Sequence, residues 1–129
     1  MEQSANDMRP KVLVIDDESL VRRVFARMIR CADVITVGTA EEALERLESD
    51  TIDVILCDLS LPGLPAPDFY ARLEADGSGL HKRFAVVTGG ATSVEHEKFL
   101  ANSGVPVVMK PTTPAVLDSL VQSLLPTAA

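Results

Sequence analysis

The chain has 129 residues, 47% hydrophobic and 24% charged, which is enough apolar material for one compact domain that needs no disulfides. Its 19 acidic residues outnumber its 12 basic ones and give a net charge of −7, which argues against a nucleic-acid module because phosphate binding needs a clustered basic surface. The same charge argues against docking on an anionic membrane, and no apolar run approaches the roughly 18–20 residues of a membrane span.

Residues 1–9 are polar and lack the apolar stretch of a signal peptide. We therefore expect a flexible lead at residues 1–9, a domain over residues 10–125 and a short tail at residues 126–129. Cys31 and Cys57 are too few for a disulfide scaffold, and both adjoin apolar segments, so they are interpreted as buried free thiols. These features predict a cytoplasmic protein.

Five short apolar runs, rich in valine and isoleucine, predict five β-strands. They cover residues 12–15, 34–37, 52–57, 84–87 and 105–109. None alternates cleanly with polar residues, which is typical of strands that are buried on both faces.

The first helical pattern lies at residues 20–30, where an apolar stripe faces away from a row of arginines. The stripe spans about 180°, which is wider than the ~100° that a core-facing helix needs. An edge that contains Leu20 or Ile29 is therefore expected to stay exposed and to meet a partner's helices.

Four further helical patterns follow the later runs, two opened by capping boxes and two by a proline in the first turn. The capping box of Thr39 with Glu42 opens a helix that runs to about residue 49, and that of Thr92 with Glu95 opens one that runs to about residue 103. Pro67 and Pro114 lie in the first turns of helices that run to about residues 76 and 125. The aliphatic stripe of the last helix is interpreted as core. Strand–helix alternation of this kind predicts an α/β fold, a doubly wound five-stranded parallel sheet with helices on both faces.

Chemically active residues follow four of the five runs. They are Asp16-Asp17-Glu18 after the first run, Asp58 after the third, Thr88 after the fourth and Lys110 after the fifth. In doubly wound sheets, functional sites form at the carboxyl ends of the strands. Carboxylates, a hydroxyl and an ammonium group are therefore expected to meet at one edge of the sheet.

Gathered carboxylates need a compensating cation, because two like charges about 4 Å apart repel by roughly 4 kcal/mol at an effective dielectric near 20. Lys110 supplies one positive charge. Mg²⁺ would supply more, since it takes oxygen ligands from few carboxylates while keeping waters and substrate phosphate. A Mg²⁺ site beside a carboxylate nucleophile indicates phosphoryl transfer.

Each piece alone also has an ordinary structural explanation. An Asp-Asp pair after a strand is often a helix N-cap, an aspartate such as Asp58 is often only loop polarity, and Lys-Pro is a common loop element. Coincidence would rarely place such residues after four of five strands, so the combination favours a functional site.

These segments resemble the response-regulator receiver family of two-component signalling. The segments are VLVIDDE at residues 12–18, DLSLPG at 58–63, VVTG at 86–89 and MKP at 109–111, and the resemblance covers about residues 10–125. It implies the flavodoxin-like (βα)5 fold with strand order 2-1-3-4-5.

The resemblance implies a Mg²⁺ site. Asp17 would bind the ion directly and Asp16 mainly through water. Asp58 would be a third ligand, and the main-chain carbonyl of Ser60 a fourth.

The resemblance also implies the roles in catalysis. Asp58 would accept the phosphoryl group from a phosphohistidine. Lys110 would pair with Asp58 and later with the phosphoryl oxygens, and Thr88 would donate its hydroxyl to one of those oxygens. The Lys110–Pro111 bond would be cis.

The implied partner is a histidine kinase or a histidine phosphotransfer protein, bound near the first helix. The chain would be a monomer or a weak homodimer, and a signalling switch rather than an enzyme with a separate substrate. Whether it is a stand-alone receiver or part of a hybrid histidine kinase stays open.

The sequence departs from the family pattern in three segments. Val107 stands where receivers often place the tyrosine or phenylalanine that reads the switch, and Ala66 replaces a common glycine between two prolines that should stiffen the loop. Gly89 and Gly90 make the loop after Thr88 permissive. Ordering of that loop is therefore hypothesised to carry more of the switch than an aromatic rotamer.

Two other functions compete with a phospho-accepting receiver. A haloacid-dehalogenase-type phosphatase also uses a strand-end aspartate, but it needs a second aspartate where this chain has Ser60. A pseudo-receiver is a binding module that takes no phosphate, and such domains typically lose the acidic pair, the acceptor or the lysine. All of these are present here.

Overall fold

The computed structural model describes residues 9–126. The predicted lead and tail therefore lie, apart from Arg9 and Pro126, outside the described residues. Strands and helices alternate along the chain. They are β1 Lys11–Ile15, α1 Ser19–Met28, β2 Asp33–Val37, α2 Ala40–Ser49, β3 Val54–Cys57, α3 Ala66–Ala75, β4 Phe84–Thr88, α4 Val94–Ser103, β5 Val107–Met109 and α5 Pro114–Leu124, with a short 3-10 helix at Leu80–Arg83.

The five strands form one parallel sheet in the order β2-β1-β3-β4-β5. The predicted fold class and strand order are confirmed. The register aligns Ile15 of β1 with Cys57 of β3, and Thr88 of β4 with Met109 of β5. The residues that follow these strands therefore emerge side by side at the carboxyl edge.

Hydrophobic cores lie on both faces of the sheet. On one face α2, α3 and α4 cover the sheet, and Phe69 and Leu73 of α3 are fully buried there. On the other face α1 and α5 do so through Phe25, Leu117 and Val121. Full burial of a side chain of this size stabilises the fold by about 1.5–3 kcal/mol. The central strands are thereby held firmly from both sides.

Burial on both faces was predicted for every strand, and this is wrong at the sheet edges. Every residue of β3 is buried, whereas β2 is mostly half-buried and β5 leaves Val107 and Met109 exposed by 40% and 53%. An edge strand has a neighbour on one side only, and in β5 the packing helices leave part of the strand uncovered.

The predicted helix starts are confirmed at Thr39 and corrected at Thr92. The hydroxyl of Thr39 accepts a hydrogen bond from the Glu42 N–H at 3.1 Å and caps α2. In α4 the cap is Ser93, whose hydroxyl accepts from the His96 N–H at 3.1 Å. The Thr92 N–H instead donates to the His96 ring at 3.3 Å, so the helix begins after Ser93.

The exposed edge of α1 lies at Leu20, one of the two positions that the sequence offered for it. Leu20 is 68% exposed, as expected, and Val24 is exposed with it. Ile29 is buried, because the chain leaves the helix at Met28 and turns Ile29 into the core. Of the two cysteines, Cys57 is buried but Cys31 is only half-buried.

Candidate functional site

The site is built from residues that leave the sheet at its carboxyl edge. The backbone N–H of Asp16 donates to the carbonyl of Val37 on β2, and that of Asp58 donates to the carbonyl of Ile15 on β1. These bonds continue the sheet by one residue beyond β1 and β3. Their effect is to fix the two aspartates on neighbouring central strands.

The predicted metal ligands Asp16, Asp17 and Asp58 lie together. One carboxylate oxygen from each falls within a group whose members are all within 4.8 Å of one another. Asp16 and Asp58 are buried, whereas Asp17 is exposed. Three oxygen donors with an open side match what Mg²⁺ prefers, since this ion keeps several waters when bound to proteins.

Lys110 joins the carboxylates from β5. Its Nζ lies 2.5 Å from Oδ2 of Asp16 and 3.3 Å from Oδ2 of Asp58. The predicted pairing with Asp58 is therefore present, but the nearer partner is Asp16, the more deeply buried carboxylate. Burial by itself lowers the pKa of Lys110, but the hydrogen bond to Asp16 and the charges of both aspartates outweigh it and raise that pKa above its ordinary value.

The backbone around Lys110 is tied to the strand that carries the predicted hydroxyl donor. The Lys110 N–H donates to the carbonyl of Thr88 at 2.8 Å, and the Lys110–Pro111 bond is cis as expected. Thr88 itself is buried, and its hydroxyl oxygen accepts from the Gly90 N–H at 3.3 Å. This backbone bond holds Thr88 and Lys110 next to each other at the carboxyl edge of the sheet.

A cleft opens over this cluster between the loops that follow β3 and β4. It is lined by Glu18, Asp58, Ser60, Thr88, Gly89, Gly90, Ala91, Thr92 and Lys110. Apart from Glu18 and the site residues, the lining side chains are small, which leaves room for a phosphoryl-sized group above Asp58. Ser60 is exposed at the rim, and the ligand role of its carbonyl stays a prediction.

The loop after Asp58 has a tether that sequence patterns did not indicate. A carboxylate oxygen of Glu41, in the first turn of α2, accepts a hydrogen bond from the Leu64 N–H at 3.0 Å. Gly63 has φ of 73° there, and a Cβ on it would come within 2.6 Å of the Glu41 carboxylate. Because the contact spans 23 residues of sequence, no local motif could have revealed it.

Cys57 precedes the candidate phosphoacceptor but takes no visible part in the site. Its thiol is buried and directed at the carbonyl of Asp58 at 3.2 Å. Burial raises the pKa of Cys57 far above its ordinary value, and the neighbouring charges of Asp58 and Asp16 raise it further. The thiol is therefore protonated and unreactive at neutral pH.

The family model for the response regulator receiver domain matches residues 12–122, which include all of these site residues. The chain belongs to the response-regulator receiver family. Among relatives, the receiver is 28% identical over 120 residues to the chemotaxis protein CheY of Pseudomonas aeruginosa, with 88% of this chain and 94% of that protein covered.

A second relative is the DNA-binding response regulator MtrA of Mycobacterium tuberculosis, 28% identical over 120 residues. That alignment covers 92% of this receiver but only 51% of MtrA, so this chain spans about half of that protein. Among solved structures, the signal receiver domain of an HD domain-containing protein from Pseudomonas fluorescens Pf-5 superposes with a TM-score of 0.78. It covers 90% of this chain and 94% of that one at 18% identity, which supports the fold alone.

The family assignment places the receiver in two-component signalling and is consistent with a phospho-accepting role. It separates the chain from the haloacid-dehalogenase-type phosphatases. Within residues 9–126, moreover, we find no helix of the length and apolar character that crossing a bilayer requires.

Proposed function

We propose that this receiver is a Mg²⁺-dependent phosphorylation switch, in which Asp58 takes a phosphoryl group from a phosphohistidine of a histidine kinase or a histidine phosphotransfer protein. The proposal is carried by one observation. Three carboxylates and the Lys110 ammonium meet at the carboxyl edge of the sheet, beneath a cleft lined by small residues and Thr88.

Asp16, Asp17 and Asp58 would hold Mg²⁺, with the main-chain carbonyl of Ser60 as a fourth ligand. When bound, the ion neutralises charge that the carboxylates and the phosphoryl oxygens would otherwise bring together. The protein supplies a rigid set of oxygens for it, because two of the three aspartates are fixed by bonds that extend the sheet.

In the transfer step a carboxylate oxygen of Asp58 forms a bond to phosphorus while the bond from phosphorus to the donor's imidazole nitrogen breaks. The electron pair of the broken bond stays on that nitrogen, and the ring leaves as neutral imidazole because its other nitrogen carries a proton. Lys110, already 3.3 Å from Asp58, would accompany the charge onto the phosphoryl oxygens. Thr88 would release the Gly90 N–H and donate its hydroxyl to one of them.

The surface of α1 supports a helical protein donor. Leu20, Val24 and Met28 line a shallow apolar pocket that continues to Lys110 and Pro111, so an apolar contact surface lies directly beside the site. A donor helix seated there would bring a phosphohistidine to the cleft. We infer a signalling domain whose only substrate is its own Asp58, rather than an enzyme that turns over a separate molecule.

The test is incubation with acetyl phosphate and Mg²⁺, followed by intact mass measurement. One added phosphoryl group is expected for the wild type, and none for Asp58→Asn or for the wild type in excess chelator. Asp68→Asn is a matched control, because Asp68 is an exposed aspartate in the first turn of α3, and it should still gain the phosphoryl group.

Three results would contradict the proposal. An unmodified wild type that is also not labelled by any phosphorylated histidine phosphotransfer protein would make the chain a pseudo-receiver. A phosphoryl group that persists in Asp58→Asn would move the acceptor to another residue. Labelling that survives chelation would remove the metal from the reaction.

A further inference from the structure

Arg22 of α1 contacts the acidic site. The sequence pattern did not predict this contact, because it placed Arg22 in a row of arginines facing away from the apolar stripe. It lies in the first turns of α1 and is half-buried, unlike the exposed Arg23 beside it. Its Nη1 donates a hydrogen bond to the main-chain carbonyl of Asp16 at 2.7 Å. A charged donor at this distance makes one of the stronger hydrogen bonds in proteins.

The carbonyl of Asp16 belongs to the peptide that joins the two acidic residues of the site. Because a peptide unit is planar, fixing this carbonyl also fixes the plane from which Asp17 departs. The Asp16 carboxylate is held separately, by the Glu18 N–H at 2.9 Å and by Lys110. Arg22 therefore constrains the part of the Asp16-Asp17 turn that aims the exposed Asp17.

The loop after β2 leaves space for the guanidinium. A Cβ added to Gly38 would lie 3.3 Å from Nη1 of Arg22 and 3.3 Å from the Glu42 carboxylate, tighter than most side-chain contacts. Glycine at this position thus lets the Arg22 side chain reach across the top of the sheet to Asp16.

We propose that Arg22 is a positioning residue of the Mg²⁺ site, which it serves by holding the Asp16 carbonyl so that Asp17 points at the ion. This inference rests on the proposed function, because it presumes that the carboxylates bind Mg²⁺. It assigns Arg22 no contact with the ion and no part in the transfer of the phosphoryl group.

A positioning role for Arg22 can be told from a purely electrostatic one by the direction in which Mg²⁺ affinity changes when the arginine is removed. Arg22 is a cation near a cation site, so if only its charge mattered, its removal would strengthen Mg²⁺ binding by a small factor, on the order of twofold. If it orients a ligand, its removal weakens binding, since loss of a group that orients metal ligands costs roughly 10–100-fold in affinity. The two roles predict opposite changes.

The experiment is a calorimetric titration of Mg²⁺ into the unphosphorylated wild type, Arg22→Ala, Arg22→Lys and Arg23→Ala. Arg23→Ala is the matched control, because it removes one positive charge from the same helix at an exposed position. We expect roughly 10-fold weaker binding in Arg22→Ala, partial recovery in Arg22→Lys, which keeps a charged donor, and wild-type or slightly tighter binding in Arg23→Ala.

Equal affinities for Arg22→Ala and Arg23→Ala, or tighter binding in the former, would overturn the positioning role while leaving the proposed function intact. A wild type that binds no Mg²⁺ would overturn both. Melting curves without Mg²⁺ show whether Arg22→Ala folds. If it does not, Gly38→Ala decides, since it keeps every charge but presses on the guanidinium: weaker binding supports the role and wild-type binding refutes it.

Discussion

Two strands of the sheet carry the candidate phosphoacceptor Asp58 and the lysine that pairs with it, yet they differ sharply in how they are packed. β3, which ends next to Asp58, has no residue more than 1% exposed. β5, which ends next to Lys110, is an edge strand that exposes Val107 and Met109. Asp58 thus follows a strand anchored in the interior, whereas Lys110 follows a loosely covered edge strand.

The other residues of the site also divide between tightly packed strands and a loosely packed region. The other buried carboxylate, Asp16, follows β1, in which every residue after Lys11 is buried. On the opposite side, the loop after Thr88 contains Gly89 and Gly90, and Gly90 adopts a φ of 137° that few other residues tolerate. A metal site requires fixed ligands, while a switch requires a segment of low local stability. Under the proposed function, the receiver would hold its metal ligands on the tightly packed strands and place its switch loop beside the loosely covered edge.

The largest expected effect compares the same substitution in the two strands. Val54→Ala removes two methyl groups from a fully buried position of β3 and should lower the free energy of unfolding by ~2–3 kcal/mol. Val107→Ala removes them from a position that is 40% exposed and should cost about 0.5 kcal/mol. Urea denaturation of both variants measures the difference. Equal losses would mean that β5 is as tightly packed as β3.

A smaller loss of stability is expected when Lys110, which links β5 to the carboxylates after β1 and β3, is replaced. Lys110→Met leaves two buried carboxylates without their ammonium partner and should lower the free energy of unfolding by about 1–2 kcal/mol, a figure reduced for partial exposure of the lysine. Added Mg²⁺ should restore part of the loss. The control is Lys82→Met at an exposed lysine of the 3-10 helix, which should change stability by less than about 0.5 kcal/mol.

The pH dependence of that loss has a definite sign. The pKa of Lys110 is raised in the folded receiver, so the stability it contributes is fully present below the ordinary value of 10.5 and disappears as the pH rises through the folded value. The wild type and Lys110→Met should therefore differ by a constant amount from pH 7 to about pH 10 and converge above that. A gap that closes already between pH 5 and 8 would assign the effect to another group.

The most local effect is expected in the loop after Thr88. Amide exchange over residues 88–92 should slow when beryllofluoride, a phosphoryl mimic, is added with Mg²⁺, because the glycine-rich loop becomes ordered around it. Residues 11–15 of the central β1 are the reference, because they should slow only by the amount that ligand binding adds to global stability. If the loop is equally protected with and without the mimic, it does not carry the switch.

Much of the fold could be predicted because it follows from local periodicity. Continuous valine- and isoleucine-rich runs, a capping box at Thr39 and prolines at helix starts are signals within a few residues of one another. The predictions fail where two neighbouring residues can both cap a helix, or where tertiary packing decides whether a side chain is buried. Thr92 and Ser93 are adjacent hydroxyl residues that can each cap α4, and of the two residues offered for the exposed edge of α1, Leu20 is exposed while the chain turns Ile29 inward.

The order of the residues is enough to show which carboxylates, hydroxyl and ammonium group follow which strands of this receiver. How these groups pair depends on the packed fold. The closer contact of Lys110 with Asp16, the hold of Arg22 on the Asp16 carbonyl and the tether from Glu41 to Leu64 all depend on side-chain reach across separate elements. Such contacts depend on distances in space, and these are set only once the helices have packed onto the sheet.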